Sequence, residues 1–232
     1  APSASELFMN GPHLATGRFE VGDPTLGTET HNNFDIAFNY AANGYSASVT
    51  FFNCSVDDFI YLVDETEEEH EDHDDDHGGL IMAEYKQQDA DFNGYELELG
   101  KSFDLGSGSV MLSYVRDTVI GELADGGDVP RIAPARNIYS IAYSDDSIYA
   151  MLRLKDVEKQ TRVATNGTAT DGFQMLDFSM RKAFDLAGGP TLNVSVFGNN
   201  LLDEAARNHT SFVKNEVPLP GRNYGLKFNF EI

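Results

Sequence analysis

The stretch DETEEEHEDHDDDHGG (64–79) concentrates the side chains best suited to holding a metal ion. Between Asp64 and His77 stand ten carboxylates, three histidines and one threonine. His70, His73 and His77 are spaced by three and four, which on a helical turn brings them roughly to one face. Glu71, Asp72, Asp74, Asp75 and Asp76 place oxygen donors beside those imidazoles. Carboxylates alone suit calcium. Interleaved histidines shift the preference toward zinc, copper or nickel, and zinc takes imidazole nitrogen and carboxylate oxygen readily. An acidic run is also what an ordinary solvated, self-repelling loop looks like, so the carboxylates by themselves decide little. Three of the six histidines falling within eight residues tilts the reading toward metal. The expected role is loose collection at interchangeable positions, raising the local cation concentration.

The rest of the chain sets what such a loop is attached to. At 232 residues there is material for one large domain or two small ones. A net charge of −22 excludes a nucleic-acid partner, whose phosphates require a basic face, and excludes docking to anionic lipid through a polybasic patch. One cysteine, Cys54, rules out an internal disulfide framework and a cysteine-based zinc finger. No apolar run approaches the length of a transmembrane helix; FIYLV (59–63) is typical of the uninterrupted ones. The opening APSASELF, with neither an initiator Met nor a signal segment, reads as part of a longer chain.

Period-two alternation is the dominant pattern. Tyr224, Leu226, Phe228, Phe230 and Ile232 alternate with Gly225, Lys227, Asn229 and Glu231. The same alternation recurs at 33–40, 95–99 and 191–196, and further strands are expected at 45–63, 108–120, 136–144, 147–159 and 173–185. No amphipathic helix stands out. Connections alternate in length as well. AANG (41–44), DLGSG (104–108), SDD (144–146) and LAGGP (186–190) are short and rich in turn formers. Those at 64–84, 121–135, 160–172 and 201–222 are long. Tight turns at one end and long loops at the other is the layout of an outer-membrane barrel. A soluble β-sandwich alternates too. Strand lengths near or above the roughly 9–11 residues that span a bilayer favour the membrane barrel. So do a polar face carrying Lys, Asn and Glu and an apolar face rich in Phe and Tyr. Nine strands cannot close by themselves, because bacterial barrels have even strand counts and an open edge in lipid leaves backbone groups unpaired.

At the C-terminal end, FGNNLLDEAARNHTSFVKNEVPLPGRNYGLKFNFEI (197–232) resembles the end of TonB-dependent outer-membrane receptors. There an NLLD-type segment closes the penultimate strand, and a PLPGRN-like loop leads into an amphipathic last strand. Ile232 departs from the aromatic residue with which many outer-membrane barrels end. APSASELFMNGPHLATGRFEVGDPTLGTETHNNFDIAF (1–38) is similar to a mid-barrel segment of these receptors. Within it, GPHLATGRFEVGDPTL (11–26) resembles the zinc-uptake branch, in which H-x-A-T followed by F-E-x-G sits in an external loop. YKQQDADFNGYELELG (85–100) resembles the strand that re-enters the barrel in that branch.

The resemblance implies an all-β, antiparallel transmembrane 22-stranded barrel, of which residues 1–232 supply about nine C-terminal strands with long extracellular loops. It implies a plug domain and early strands outside this sequence, energy passed on by a TonB complex, and outer-membrane lipid around the wall. No nucleic acid, no enzymatic activity and no catalytic cofactor are expected; Zn²⁺ is the expected transported ligand. With the C-terminus in the periplasm, 1–29, 64–84, 121–135, 160–172 and 201–222 face the external medium. His13, otherwise an ordinary loop histidine, matches the H-x-A-T histidine and inherits an expected role in binding zinc with groups from the plug. His31 and His209 are expected to be structural, and Arg116 and Asp117 are candidates to line the lumen.

Three other readings compete. A receptor of the same fold for a siderophore, haem or another chelate would use aromatic and Arg contacts and ignore the histidines. An outer-membrane lipid hydrolase needs a Ser–His pair that no motif announces, and G-x-S-x-G, P-loop and dinucleotide fingerprints are missing. A soluble acidic β domain binding Ca²⁺ would need no detergent for extraction.

Overall fold

The computed structural model describes residues 1–65 and 79–231. Two short strands, β1 (Asn10–His13) and β2 (Arg18–Val21), precede nine long ones. The long strands are β3 (Thr30–Ala42), β4 (Tyr45–Asp64), β5 (Ile81–Leu105), β6 (Gly108–Leu123), β7 (Arg136–Ser144), β8 (Ile148–Val157), β9 (Phe173–Asp185), β10 (Thr191–Asn199) and β11 (Asn223–Glu231). They pair antiparallel with their sequence neighbours from β3 to β11, and the sheet stays open along the outer edges of β3 and β11.

Each expected strand is present, and most run longer than the alternation alone suggested. β5 is the main case. Its clearest pattern covered 95–99, yet it spans 25 residues. Its outer end keeps pairing with Val63 and Asp64 of β4 on one side, and β2 lies parallel to Ile81–Glu84 on the other. At the short-turn end, Asn43 and Gly44 both take positive φ (51° and 75°) between β3 and β4. That is the conformation a two-residue hairpin demands and Asn-Gly supplies. One short helix, α1 (Ala4–Phe8), was not anticipated. Ser3 accepts from the Glu6 amide and Glu6 reaches back to the Ser3 amide, a capping box sufficient for a single turn.

Register makes the two faces explicit. Tyr45, Lys101, Leu112, Ile141, Leu152 and Phe178 lie opposite one another across six strands, so they share one face. One residue along, Ser46, Gly100, Ser113, Ser140, Arg153 and Asp177 form the matching row on the other face. The first face carries exposed Phe38, Tyr40, Leu99, Leu226, Phe228 and Phe230 in neighbouring rows. An apolar band outside and a polar inner wall is the pattern required of a barrel in lipid. Neighbouring residues on a strand point oppositely, so Arg116 and Asp117 cannot both line the lumen. Arg116 shares the apolar face and is held at its long-loop end by Tyr95, Asn137 and Glu158. Asp117 takes the other face, where Arg136 pairs with it at 2.7 Å.

A small core forms toward the long-loop end, where the loop after β6 packs onto β4, β5 and β6. Ala90, Leu123 and Val129 pack with Phe59, Phe92 and Ile132. His209, in the connection between β10 and β11, is 2% exposed and hydrogen-bonded through Nδ1 to Thr170 at 2.9 Å. This supports the structural role expected for it. Burial, reinforced by the nearby Lys214 ammonium, lowers its pKa to about 4.

Two outcomes follow from this architecture. Ile141→Arg on the apolar face should destabilise the lipid-embedded protein by up to about 2–4 kcal/mol, while Ser140→Arg should cost far less; urea unfolding in lipid vesicles measures both. The His209 loop should loosen with acid. The folded ring resists a proton that the unfolded ring accepts near pH 6.5, so its contribution is full above that pH and falls as the pH drops toward about 4. Amide hydrogen exchange across 200–222 should therefore speed up in acid beyond its intrinsic pH dependence, and His209→Gln should remove most of that excess.

Candidate functional site

The histidine singled out at the N-terminal end sits on a compact hairpin. Backbone bonds run from Thr16 N to His13 O (3.0 Å) and from Gly17 N to Leu14 O (3.3 Å), with Gly17 at φ +67°. Glycine suits that left-handed position because it has no Cβ to clash. The Thr16 hydroxyl lies 2.9 Å from His13 O and 3.0 Å from Glu20 Oε1, so its one proton serves the turn and the carboxylate together. These bonds account for the local sense of the H-L-A-T-G order.

β2 turns its charges inward. Arg18 and Glu20 are buried while Phe19 and Val21 are only partly so. Glu20 receives His13 Nδ1 at 2.8 Å and the Tyr85 hydroxyl at 3.4 Å. The His13 side chain is 49% exposed and the Glu20 side chain 5%. A buried carboxylate on Nδ1 selects the tautomer with the proton there and leaves Nε2 as the basic nitrogen. Among the described residues nothing bonds to that Nε2.

Arg18 anchors the hairpin. Its Nε and Nη2 donate to the two oxygens of Asp64 at 2.7 and 2.6 Å, a bidentate pair. Nη1 donates to the carbonyls of Thr16 (2.6 Å) and Phe212 (3.2 Å). The hairpin is thereby tied to the end of β4, where the acidic run begins, and to the loop between β10 and β11. Asp64, the first acid of the run, is committed to this pair.

Beside it lies a cavity of about 130 Å³, bounded by β2, the end of β4 and the loops 124–135, 158–172 and 200–222. Arg18, Arg131, Lys214 and His209 line it. Arg131 and Arg18 lie on the Phe212 ring, at 4.1 and 4.8 Å from its centroid. Arg131 takes φ +59°, a left-handed conformation that costs a non-glycine residue about 1–2 kcal/mol. Burial lowers the pKa of its guanidinium, with Asp64 opposing and Arg18 reinforcing the shift. Burial also lowers Lys214, and the positive charge of Arg131 adds to it.

His70, Glu71, Asp72, His73, Asp74, Asp75, Asp76 and His77 lie outside the described residues, so their expected role in metal collection carries no geometry. Among the described residues, no three His, Cys, Asp or Glu side chains group closely enough to hold a metal ion. His31 stands half exposed with Glu29 at 3.6 Å. Sequence reasoning missed Glu20, Arg131 and Lys214. Glu20 had a readable signal, since the R-F-E-V alternation places Arg18 and Glu20 on one face; that this face is buried had none.

Comparisons with known proteins fit this architecture. The family model described as "TonB dependent receptor-like, beta-barrel" matches residues 1–201. Among solved structures, the copper transporter OprC superposes with a TM-score of 0.75 at 21% identity, over 100% of this chain and 35% of that one. The FrpB iron transporter from Neisseria meningitidis gives 0.60 at 18% identity, over 90% of this chain and 32% of that one. The siderophore receptor PirA from Acinetobacter baumannii gives 0.58 at 15%, over 91% and 33%. The chain thus spans about a third of the length of each. At these identities the structural likenesses establish the fold, and the family match identifies it as part of an outer-membrane β-barrel. The chain belongs to the TonB-dependent receptor-like β-barrel family.

Proposed function

We propose that this chain forms the C-terminal wall and outer loops of a receptor importing a transition-metal ion, most favourably zinc. The observation that carries the reading is His13, half exposed at a hairpin turn and held through Nδ1 by the buried Glu20. A carboxylate behind an imidazole is the standard way to orient a metal-binding histidine and raise its basicity. One histidine is an incomplete site for a four-coordinate ion. The remaining ligands are assigned to the plug, as in the zinc-uptake branch that the H-L-A-T segment resembles. His70, His73 and His77, with Glu71, Asp72, Asp74, Asp75 and Asp76, act as the collector that delivers ions to it. In this reading the C-terminus is periplasmic, the long loops face the medium, and the plug contacts TonB.

The OprC likeness makes copper the nearest competing ion, since imidazole suits both metals. The likenesses to iron and siderophore receptors favour a chelate as a second reading. Calorimetric titration of Zn²⁺, Cu²⁺ and Ca²⁺ into the full-length receptor separates them. His13→Ala should abolish one tight zinc event. Glu20→Gln should weaken the same event by about 10–100-fold. His70/His73/His77→Ala should remove several weak events and spare the tight one. Tighter copper than zinc at the His13-dependent event would reassign the ion; zinc and calcium binding alike, with no effect of any change, would sink the metal reading and favour a chelate.

A further inference from the structure

We propose that the cavity between β2, the end of β4 and the three loops around Phe212 is a binding site for one small oxyanion group, a carboxylate or a phosphate. Its lining holds three cationic side chains, Arg18, Arg131 and Lys214, against two acids, Asp64 and Glu216. Asp64 has both oxygens on Arg18. Glu216 is exposed and forms no ion pair among the described residues. Among the described residues, two positive charges therefore remain without a carboxylate hydrogen-bonded to them.

Among the described residues both have only carbonyl acceptors. Arg131 Nη2 donates to Leu62 O at 2.7 Å, and Lys214 Nζ donates to Thr168 O at 2.6 Å. Lys214 is 8% exposed. A guanidinium carries five N–H donors and an ammonium three, so each has donors to spare. Phe212 disperses the charge of the two guanidinium groups through its ring face without neutralising it. Two like charges facing one cavity, one on the buried Lys214 and the other on the half-buried Arg131 in its left-handed conformation, is an arrangement that a bound anion would stabilise. Forked guanidinium and ammonium donors are the usual partners of carboxylate and phosphate oxygens. The volume of about 130 Å³ is far above the roughly 10–15 Å³ that a single water needs, enough for acetate or inorganic phosphate. The site uses neither His13 nor the eight residues 70–77 assigned to metal collection, and Asp64 enters it only as the partner of Arg18, so it stands or falls separately from the metal reading.

The test uses the full-length receptor in detergent, stripped of metal and held in a zwitterionic buffer of low ionic strength. Titration with inorganic phosphate and with acetate should give saturable heat, with chloride as the control. Arg131→Gln and Lys214→Gln should each weaken binding roughly tenfold or more, and Lys214→Arg should retain it. In the unmutated receptor, phosphate should slow amide exchange across 209–216, a readout that does not depend on any variant folding. Absence of saturable heat, with exchange unchanged, overturns the proposal; it would mean that an acid outside the described residues pairs these cations. Variants that melt lower than the parent by the same amount at every phosphate concentration overturn it too, because the cations would then only pin the loops.

Discussion

Hydrocarbon offers no hydrogen bonds, so each backbone N–H and C=O that crosses it must find its partner in a neighbouring strand. That requirement governs the rest of this protein. It makes the strands continuous and antiparallel, and it forces side chains to alternate strictly between lipid and interior. Tyr45, Lys101, Leu112 and Ile141 fall on one side while Ser46, Gly100, Ser113 and Ser140 fall on the other, because a ladder with one register has no other option. Lys101 tests the rule and obeys it. It stands on the apolar face near the short-turn end, where its ammonium rests 3.6 Å from the centre of the Tyr45 ring and donates to Asn43 O. A long stem lying on apolar surface with a polar head at its edge is ordinary snorkelling.

Beyond the ladder the chain solves a different problem. The long connections cannot rely on lipid to bury their apolar side chains, and they enclose only a small core around Ala90, Leu123 and Val129. Buried charges take over part of the organising role. Arg18 joins the first hairpin, the end of β4 and the loop before β11 through Asp64 and two backbone carbonyls. Removing one member of such a pair leaves an uncompensated buried charge, typically a loss of about 3–5 kcal/mol. The pair therefore fixes the geometry of three segments far apart in sequence. Glu20 extends the arrangement by fixing the His13 ring. The outer end is held by directional contacts, which suits a surface that must present particular atoms to a solute.

The candidate metal site and the cavity lie on either side of that Arg18–Asp64 pair, with opposite chemistry. On one side a carboxylate supports an imidazole; on the other, Arg131 and Lys214 have only carbonyl acceptors among the described residues. The charge of Glu20 is felt at Arg131, so the two regions are electrostatically joined. A surface that is acidic overall, at −22, thus holds a basic pocket close to its best candidate ligand for a cation.

Much of the wall was legible from residue order alone. Alternation of apolar and polar residues is a local property, and in a membrane strand it maps directly onto lipid and interior faces. The short turns were legible for the same reason, since Asn43-Gly44 carries its conformation in its own two residues. So was the concentration of imidazole and carboxylate at 64–77, although those residues beyond Glu65 have no described geometry to set beside it. Other features became visible only in three dimensions. The outer extension of β5 depends on β2 and β4 arriving beside it, and nothing in Ile81–Glu84 announces those partners. Burial of Arg18, Glu20 and Lys214 contradicts what charged residues ordinarily do, and no periodicity reveals which charges will be enclosed. The contact of Arg18 with Asp64 spans 46 positions and that with Phe212 spans 194. Sequence determined the faces of the wall, because each face repeats every second residue. Tertiary structure decided the site, because its members meet only after distant loops have folded over one end of that wall.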